Sequence, residues 1–99
     1  MIISYDNTMF GNVKFEFEFE RNFYKEYLIV IKKSSVNLHW FFQHRIGLYS
    51  GFLNEKLEYI VKNNTPIKTY EEAKVLAENW SDNFVENIIG GSRYQKIIC

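Results

Sequence analysis

The sequence predicts an α+β fold in which an antiparallel β-meander of three or more strands carries two helices packed on one face, in two layers. Residues 13–20 alternate strictly between apolar and charged side chains, which is typical of a half-buried strand. Residues 70–89 carry apolar side chains at helical spacing. With 99 residues, 46% of them apolar, the chain can bury one core, so we expect a single domain over residues 1–99.

The first two predicted strands are joined by a tight turn. The first strand has its phenylalanines on one face and its glutamates on the other, and residues 24–33 form a β-branched second strand. A two-residue connection, residues 21–22, sets this hairpin's register. Two favourable cross-strand pairs follow from it: Phe19 with Tyr24, and Glu18 with Lys25.

Residues 36–43 are ambiguous between a strand and a helix. Alternating apolar side chains favour a third strand of the meander, whereas Leu38, Phe41 and Arg45 also fit a helical stripe. We expect the strand, with the helix as the alternative. Residues 2–5 and 94–98 are candidates for short additional strands at the two ends of the sequence.

Two helices are predicted in the second half of the sequence. The first, residues 52–62, would place its apolar side chains on one face and end before Pro66. The second, residues 70–89, follows a capping-box spacing from Thr69 to Glu72. Consecutive glycines end this second helix.

Composition and motifs argue against several classes of function. Twelve basic residues balance twelve acidic residues, which argues against a dedicated nucleic-acid binder and against an acidic DNA mimic. The sequence lacks a Gly-rich phosphate loop and a nucleophile elbow. His39 and His44 are five residues apart, a spacing that suits chelation on neither a strand nor a helix. We therefore expect no enzymatic activity, no metal and no cofactor.

The sequence also predicts a cytoplasmic protein. Its first residues do not have the pattern of a signal peptide, and the longest apolar run, residues 28–31, is far too short to cross a membrane. The single cysteine, Cys99, is consistent with a reducing compartment. Residues with AT-rich codons (Ile, Asn, Lys, Phe and Tyr) greatly outnumber Gly, Ala, Arg and Pro, which indicates an AT-rich genome.

Protein binding is the function that the sequence favours. Both faces of the second strand are apolar, but a two-layer fold covers only one sheet face. In the predicted register, Tyr27 and Ile29 lie on the uncovered face beside the acidic row of Glu16, Glu18 and Glu20. An apolar centre with an acidic margin suits a basic protein partner. A second copy of the chain, forming a homodimer, or the chain's own termini could cover the same face.

Two other functions are alternatives. A basic, aromatic face for single-stranded nucleic acid could be formed by Lys25, Tyr27, Lys32, Lys33 and Phe41. A general acid–base set for RNA cleavage could be formed by His39, His44, Arg45 and Tyr49.

In size, compartment and composition only, the chain resembles the small cytoplasmic neutralising proteins of bacteria and phages. These include toxin-immunity proteins and phage anti-defence proteins, often encoded in AT-rich mobile islands. The resemblance implies a protein that occludes one protein target, most concretely an immunity protein against a cationic nuclease toxin. It assigns no residue of this sequence a role.

Overall fold

The structure, a computed structural model, describes residues 1–8, 11–44, 51–53, 58–90 and 93–99. Within these ranges the elements are β1 (Ile2–Thr8), β2 (Gly11–Arg21), β3 (Tyr27–Ser34), α1 (Leu38–His44), β4 (Gly51–Leu53), β5 (Tyr59–Val61), α2 (Tyr70–Phe84) and β6 (Gln95–Ile98). The strands form one antiparallel sheet in the order β4-β5-β3-β2-β1-β6. Both helices contribute to one hydrophobic core with the sheet. The predicted α+β two-layer class is confirmed.

β2 supplies the centre of the core because its alternation suits a sheet with one buried face. Val13, Phe15 and Phe17 are at most 2% exposed. The Phe15 ring packs edge-on against both Trp80 and Phe84 of α2, with ring centroids 5.4 Å apart in each case. These aromatic contacts dock α2 on the middle of the sheet.

The turn between β2 and β3 contains five residues, 22–26, instead of the predicted two. Phe19 pairs with Ile29, so the predicted pairing of Phe19 with Tyr24 is wrong. Because residues 27–31 of β3 are shifted by five residues, an odd number, their side chains lie on the face opposite to the one predicted.

Hydrophobic burial explains this register. Ile29 and Ile31 join Phe17 on the helix side of the sheet, and each is at most 3% exposed. Removing apolar surface from water stabilises the fold by roughly 25 cal/mol per Å². An exposed pair of opposite charges, such as the predicted Glu18–Lys25 pair, contributes at most about 1 kcal/mol. Burial of the isoleucines therefore outweighs the charge pair.

Residues 38–44 form α1, so the predicted third strand is wrong and its helical alternative is right. The Asn37 side chain accepts a hydrogen bond from the Trp40 N–H at 3.1 Å, which caps the first turn. Phe41 packs edge-on against Phe84 of α2, with ring centroids 5.5 Å apart. This contact fixes α1 on the same side of the sheet as α2.

The predicted helix over residues 52–62 is also wrong. Residues 51–53 and 59–61 are the strands β4 and β5, while residues 54–57 of that prediction lie outside the described ranges. β5 pairs with β3, with Val61 opposite Ile29. Its β-branched residues favour a strand once the edge of β3 is available for pairing.

α2 begins and ends where the sequence predicts. The Thr69 hydroxyl accepts a hydrogen bond from the Glu72 N–H at 3.1 Å. A π-helical turn, Val85–Ile89, extends α2, and Gly90 ends it in the left-handed region with a φ of 81°. In the part of the chain that the structure describes, none of the helices has the length and apolar character needed to cross a membrane.

A polar network ties the edge strand β6 to α2. The Lys96 ammonium lies 2.6 Å from Glu78 Oε1 and 3.0 Å from Asp82 Oδ2. Asp82 also accepts a hydrogen bond from the Tyr5 hydroxyl at 2.7 Å, and Tyr5 is fully buried. The short C-terminal strand is therefore held by side chains as well as by its pairing with β1.

We expect the free energy of unfolding to fall as the pH rises above about 10. Burial is the main cause of the raised pKa of Tyr5. Burial opposes the charge of Lys96, but its hydrogen bonds to Glu78 and Asp82 outweigh that effect and raise its pKa. In the unfolded chain the pKa is 10.0 for Tyr5 and 10.5 for Lys96. A group whose pKa is raised by folding stabilises the fold fully below its unfolded-chain pKa. That stabilisation is lost as the pH rises through the pKa of the folded state.

Urea unfolding from about pH 7 to about pH 11 measures this loss. At the alkaline end each of these two groups lowers the free energy of unfolding by at most about 1.4 kcal/mol per pH unit. Tyr5→Phe should remove the part of the slope that is due to Tyr5. A free energy of unfolding that stays constant up to about pH 11 would contradict the prediction.

Candidate protein-interaction site

The five residues predicted to bind a protein lie on two faces of the sheet. Glu16, Glu18 and Glu20 lie on the face away from the helices. Ile29 is fully buried in the core, and Tyr27 packs against that core from the helix side. The structure therefore brings the three glutamates together but separates them from Tyr27 and Ile29.

Lysines lie beside two of the three glutamates of the acidic row. Glu16 lies opposite Lys33 across the β2–β3 ladder. The Lys32 ammonium lies 2.6 Å from Glu58 and 3.5 Å from Glu18. The hydrogen bond to Glu58 is the main cause of the raised pKa of Lys32. This face of the sheet is therefore mixed in charge rather than acidic.

Val30 and Ile60 lie in the middle of the same sheet face. They are paired across the β3–β5 ladder and are 0% and 6% exposed in the single chain. The second apolar face of β3 is therefore already covered by the chain itself at these two residues.

The structure also separates the residues of the alternative nucleic-acid face. Phe41 is buried in the core, and Lys32 is engaged by two glutamates. Of the residues considered for acid–base chemistry, His39 is exposed on α1, with Nδ1 3.4 Å from the Tyr59 hydroxyl. The remaining members of that set fall outside the described side chains: His44, Arg45 and Tyr49.

The β2–β3 turn holds the most exposed aromatic side chains of the described residues. Phe23 is 93% exposed and Tyr24 is 75% exposed. Their rings stack edge to face, with centroids 5.5 Å apart. Side chains this exposed bury little apolar surface, so they contribute little to folding. Residues 22–26 are called the aromatic turn below.

Hydrogen bonds within the backbone and to Asn22 hold the aromatic turn in shape. The Asn22 Oδ1 accepts hydrogen bonds from the N–H groups of Tyr24 and Glu26, at 2.9 Å and 3.0 Å. The Asn22 carbonyl accepts from the Lys25 N–H at 3.1 Å, and the Asn22 N–H donates to the Glu26 carbonyl at 2.9 Å. A fixed turn lowers the entropic cost of presenting two aromatic rings to a ligand.

Cations surround the aromatic turn. Arg21 donates a hydrogen bond to the Lys25 carbonyl at 3.0 Å, and its guanidinium carbon lies 5.1 Å from the Tyr27 ring centroid. The Lys25 side chain is exposed. Glu26 is compensated by Lys68, which lies 3.3 Å away. The turn therefore presents two exposed rings beside the positive charges of Arg21 and Lys25.

Lys25→Gly should raise the free energy of unfolding by about 0.5–1 kcal/mol and Tm by a few degrees. Lys25 has a φ of 60°, in the left-handed region where a Cβ atom is disfavoured and glycine is not. Thermal unfolding of the two proteins measures the effect. Lys25→Ala is the matched control because it also removes the charge but keeps the Cβ atom. A glycine variant no more stable than the alanine variant would show that the backbone is not strained there.

The aromatic turn differs from the prediction, which has a two-residue connection at residues 21–22 and starts the second strand at residue 24. The sequence feature that indicates the observed register is the match between the apolar faces of residues 15–19 and 27–31. Aligning these two faces leaves five residues for the turn, and Asn22 is a residue type that favours such a turn through its side-chain acceptor.

Comparison with protein-family models, with curated proteins and with solved structures finds no match to this chain.

Proposed function

We propose that this chain is a protein-binding protein that neutralises one protein target by occlusion, with the aromatic turn as its anchor. The observation that carries the proposal is the 93% exposure of Phe23 on a turn whose backbone is held by hydrogen bonds. Aromatic residues are enriched at protein interfaces and supply much of the binding energy there. A preformed turn loses less entropy than a mobile loop on binding.

The chemistry of the turn fits a partner with an apolar pocket and an acidic rim. Phe23 and Tyr24 would enter the pocket, while Arg21 and Lys25 would face the rim. The acidic row of β2 supports a basic partner less well, because lysines lie beside Glu16 and Glu18. The anchor therefore differs from the one that the sequence predicts, although the mode of action is the same.

A toxin-immunity protein is the concrete form of this proposal. A nuclease toxin whose catalytic carboxylates line its cleft would present an acidic rim of the kind that the turn fits. Inserting the turn would close that cleft. A phage anti-defence inhibitor would act in the same way on a defence protein. We place the function in the cytoplasm, where the exposed, unpaired Cys99 stays a thiol.

Single-stranded nucleic acid is the second candidate ligand. The exposed rings of Phe23 and Tyr24 beside Arg21 and Lys25 could stack on bases. Such binding loses affinity steeply as the salt concentration rises. Insertion of two rings into an apolar pocket depends much less on salt, so the two candidates differ in a measurable property.

Photo-crosslinking from the turn tests the proposal. Benzoylphenylalanine at position 23 is irradiated in nuclease-treated lysate of the host, and the same label at position 75 is the control. Val75 is 55% exposed on the outer side of α2. We expect one stoichiometric protein to cross-link from position 23 alone. Unlabelled wild type should compete for it, and Phe23→Ala/Tyr24→Ala should not.

Two outcomes would overturn the proposal. A cross-link that forms in untreated lysate and is abolished by nuclease or by moderate salt would assign the turn to nucleic acid. Equal cross-linking from positions 23 and 75 would show that the aromatic turn is not a specific contact.

A further inference from the structure

We infer that the chain forms a symmetric dimer in which the free edge of β6 pairs antiparallel with β6 of a second copy. The dimer's twofold axis passes beside Ile97, so this residue faces Ile97 of the second copy. This contact lies at the edge of the sheet, and it does not involve the aromatic turn. The inference adds a specific contact and a strand register to the homodimer that the sequence allows.

Among the strands that the structure describes, none pairs with the outer edge of β6, so its backbone presents a regular row of hydrogen-bonding groups there. Ile2 and Cys99 exchange both backbone hydrogen bonds, at 3.0 Å and 2.8 Å. In an antiparallel ladder such pairs alternate with pairs that do not exchange hydrogen bonds. Ile97, opposite Ser4, therefore directs its N–H and C=O toward β1. Lys96 and Ile98 direct theirs outward, which gives two donors and two acceptors along the free edge.

This outward row is complementary to itself. With the twofold axis at Ile97, Lys96 of each copy lies opposite Ile98 of the other, and each of these pairs can exchange two hydrogen bonds. Ile97 is 43% exposed and Ile98 is 46% exposed in the single chain. Pairing would cover Ile97 with its own copy and Ile98 with the aliphatic part of Lys96.

Charge does not oppose this pairing. Edge strands that avoid association often carry an inward-pointing charge, and Lys96 has that position. However, its ammonium is already compensated by Glu78 at 2.6 Å and by Asp82 at 3.0 Å in the same chain. Gln95 and Ile97, the β6 residues whose side chains share the other face, are uncharged. The described part of β6 therefore presents to a second copy two exposed isoleucines, a hydrogen-bonding edge and a lysine whose charge is already compensated.

Cysteine trapping tests the register. In a Cys99→Ser background, Ile97→Cys places two thiols across the axis in a pair without mutual hydrogen bonds. The Cα atoms of such a pair lie about 4.5 Å apart, within the range of a disulfide. We expect mild oxidation to give a covalent dimer of this variant.

Position 95 supplies the matched controls. Gln95→Cys in the Cys99→Ser background puts the two thiols about 13 Å apart along the paired strands, because they are offset by four residues. This variant should stay monomeric under the same oxidation. Gln95→Cys with the native Cys99 should cross-link, because the register places position 95 opposite Cys99 of the second copy.

Sedimentation velocity measures the dimer without any cross-link. Ile97→Asp places two carboxylates at the axis, and we expect it to raise the dimer Kd at least about tenfold. Val75→Asp, on the outer side of α2, should leave the Kd unchanged.

A wild-type chain that stays monomeric up to about 1 mM would overturn the inference. Cross-linking of the Gln95→Cys/Cys99→Ser control as readily as Ile97→Cys would also overturn it. Neither result would affect cross-linking from position 23, which probes a different surface.

Discussion

Phe23→Ala/Tyr24→Ala should weaken binding to the protein that cross-links from position 23 by at least about 100-fold, which is about 2.7 kcal/mol. Aromatic side chains at the centre of an interface commonly cost 2 kcal/mol or more each when truncated. The two side chains are 93% and 75% exposed. Truncating them should therefore change the free energy of unfolding by less than about 0.5 kcal/mol. Titration calorimetry with the identified partner measures the affinity, and urea unfolding measures the stability.

Asn22→Ala separates two contributions to the binding affinity: the contacts made by the two aromatic rings, and the ordering of the turn that carries them. This variant keeps Phe23 and Tyr24 but removes the two hydrogen bonds that Asn22 Oδ1 accepts. We expect a smaller loss of affinity, about tenfold, because the turn must then be ordered during binding. Val75→Ala serves as the unaffected control. Wild-type affinity in Phe23→Ala/Tyr24→Ala would show that the partner binds elsewhere on the chain.

Asp82→Ala should lower the free energy of unfolding by about 3 kcal/mol. The substitution leaves the hydroxyl of the buried Tyr5 without its carboxylate acceptor and removes one of the two carboxylates that compensate Lys96. Burying a polar group without a partner costs about 1–3 kcal/mol, and a hydrogen bond to a charged group contributes about as much. Urea unfolding measures the total loss. Hydrogen exchange at the β6 amides that face β1 shows whether the edge strand loosens before the rest of the chain.

Three further variants separate the causes of the stability loss expected for Asp82→Ala. Asp82→Asn keeps an acceptor for Tyr5 but removes the charge, so its loss should be intermediate. Tyr5→Phe removes the hydroxyl together with its need for a partner and should cost only about 1 kcal/mol. Asn79→Ala, at an exposed position of the same helix, should be nearly neutral. If Asp82→Ala proves no more destabilising than Asn79→Ala, the network does not hold β6 on α2.

Local patterns in the sequence were enough to predict β2 and α2. β2 alternates apolar and charged residues over 13–20; of the apolar set, the structure buries Val13, Phe15 and Phe17 and half-buries Phe19. α2 has its start signal at Thr69 and its stop signal at Gly90. Each of these signals acts between residues that are close in the chain, so it needs no knowledge of distant neighbours. The class of the fold follows from these two elements and the β-branched run between them.

The tertiary structure decided the register of β3, the strands β4 and β5, and the choice of helix for residues 38–44. Each of these segments has a local pattern that fits more than one structure. For β3 the decisive term is burial of Ile29 and Ile31 beside Phe17, and for β5 it is the pairing of Val61 with Ile29.

The same physical cause exposes the aromatic turn. Burial of the β3 isoleucines shifts the strand by five residues and leaves Phe23 and Tyr24 outside the sheet. A local cross-strand charge pair contributes at most about 1 kcal/mol, so it could not hold these two residues in a strand against that burial. The sequence by itself determined which faces are apolar, and contacts between distant segments determined which of those faces meet.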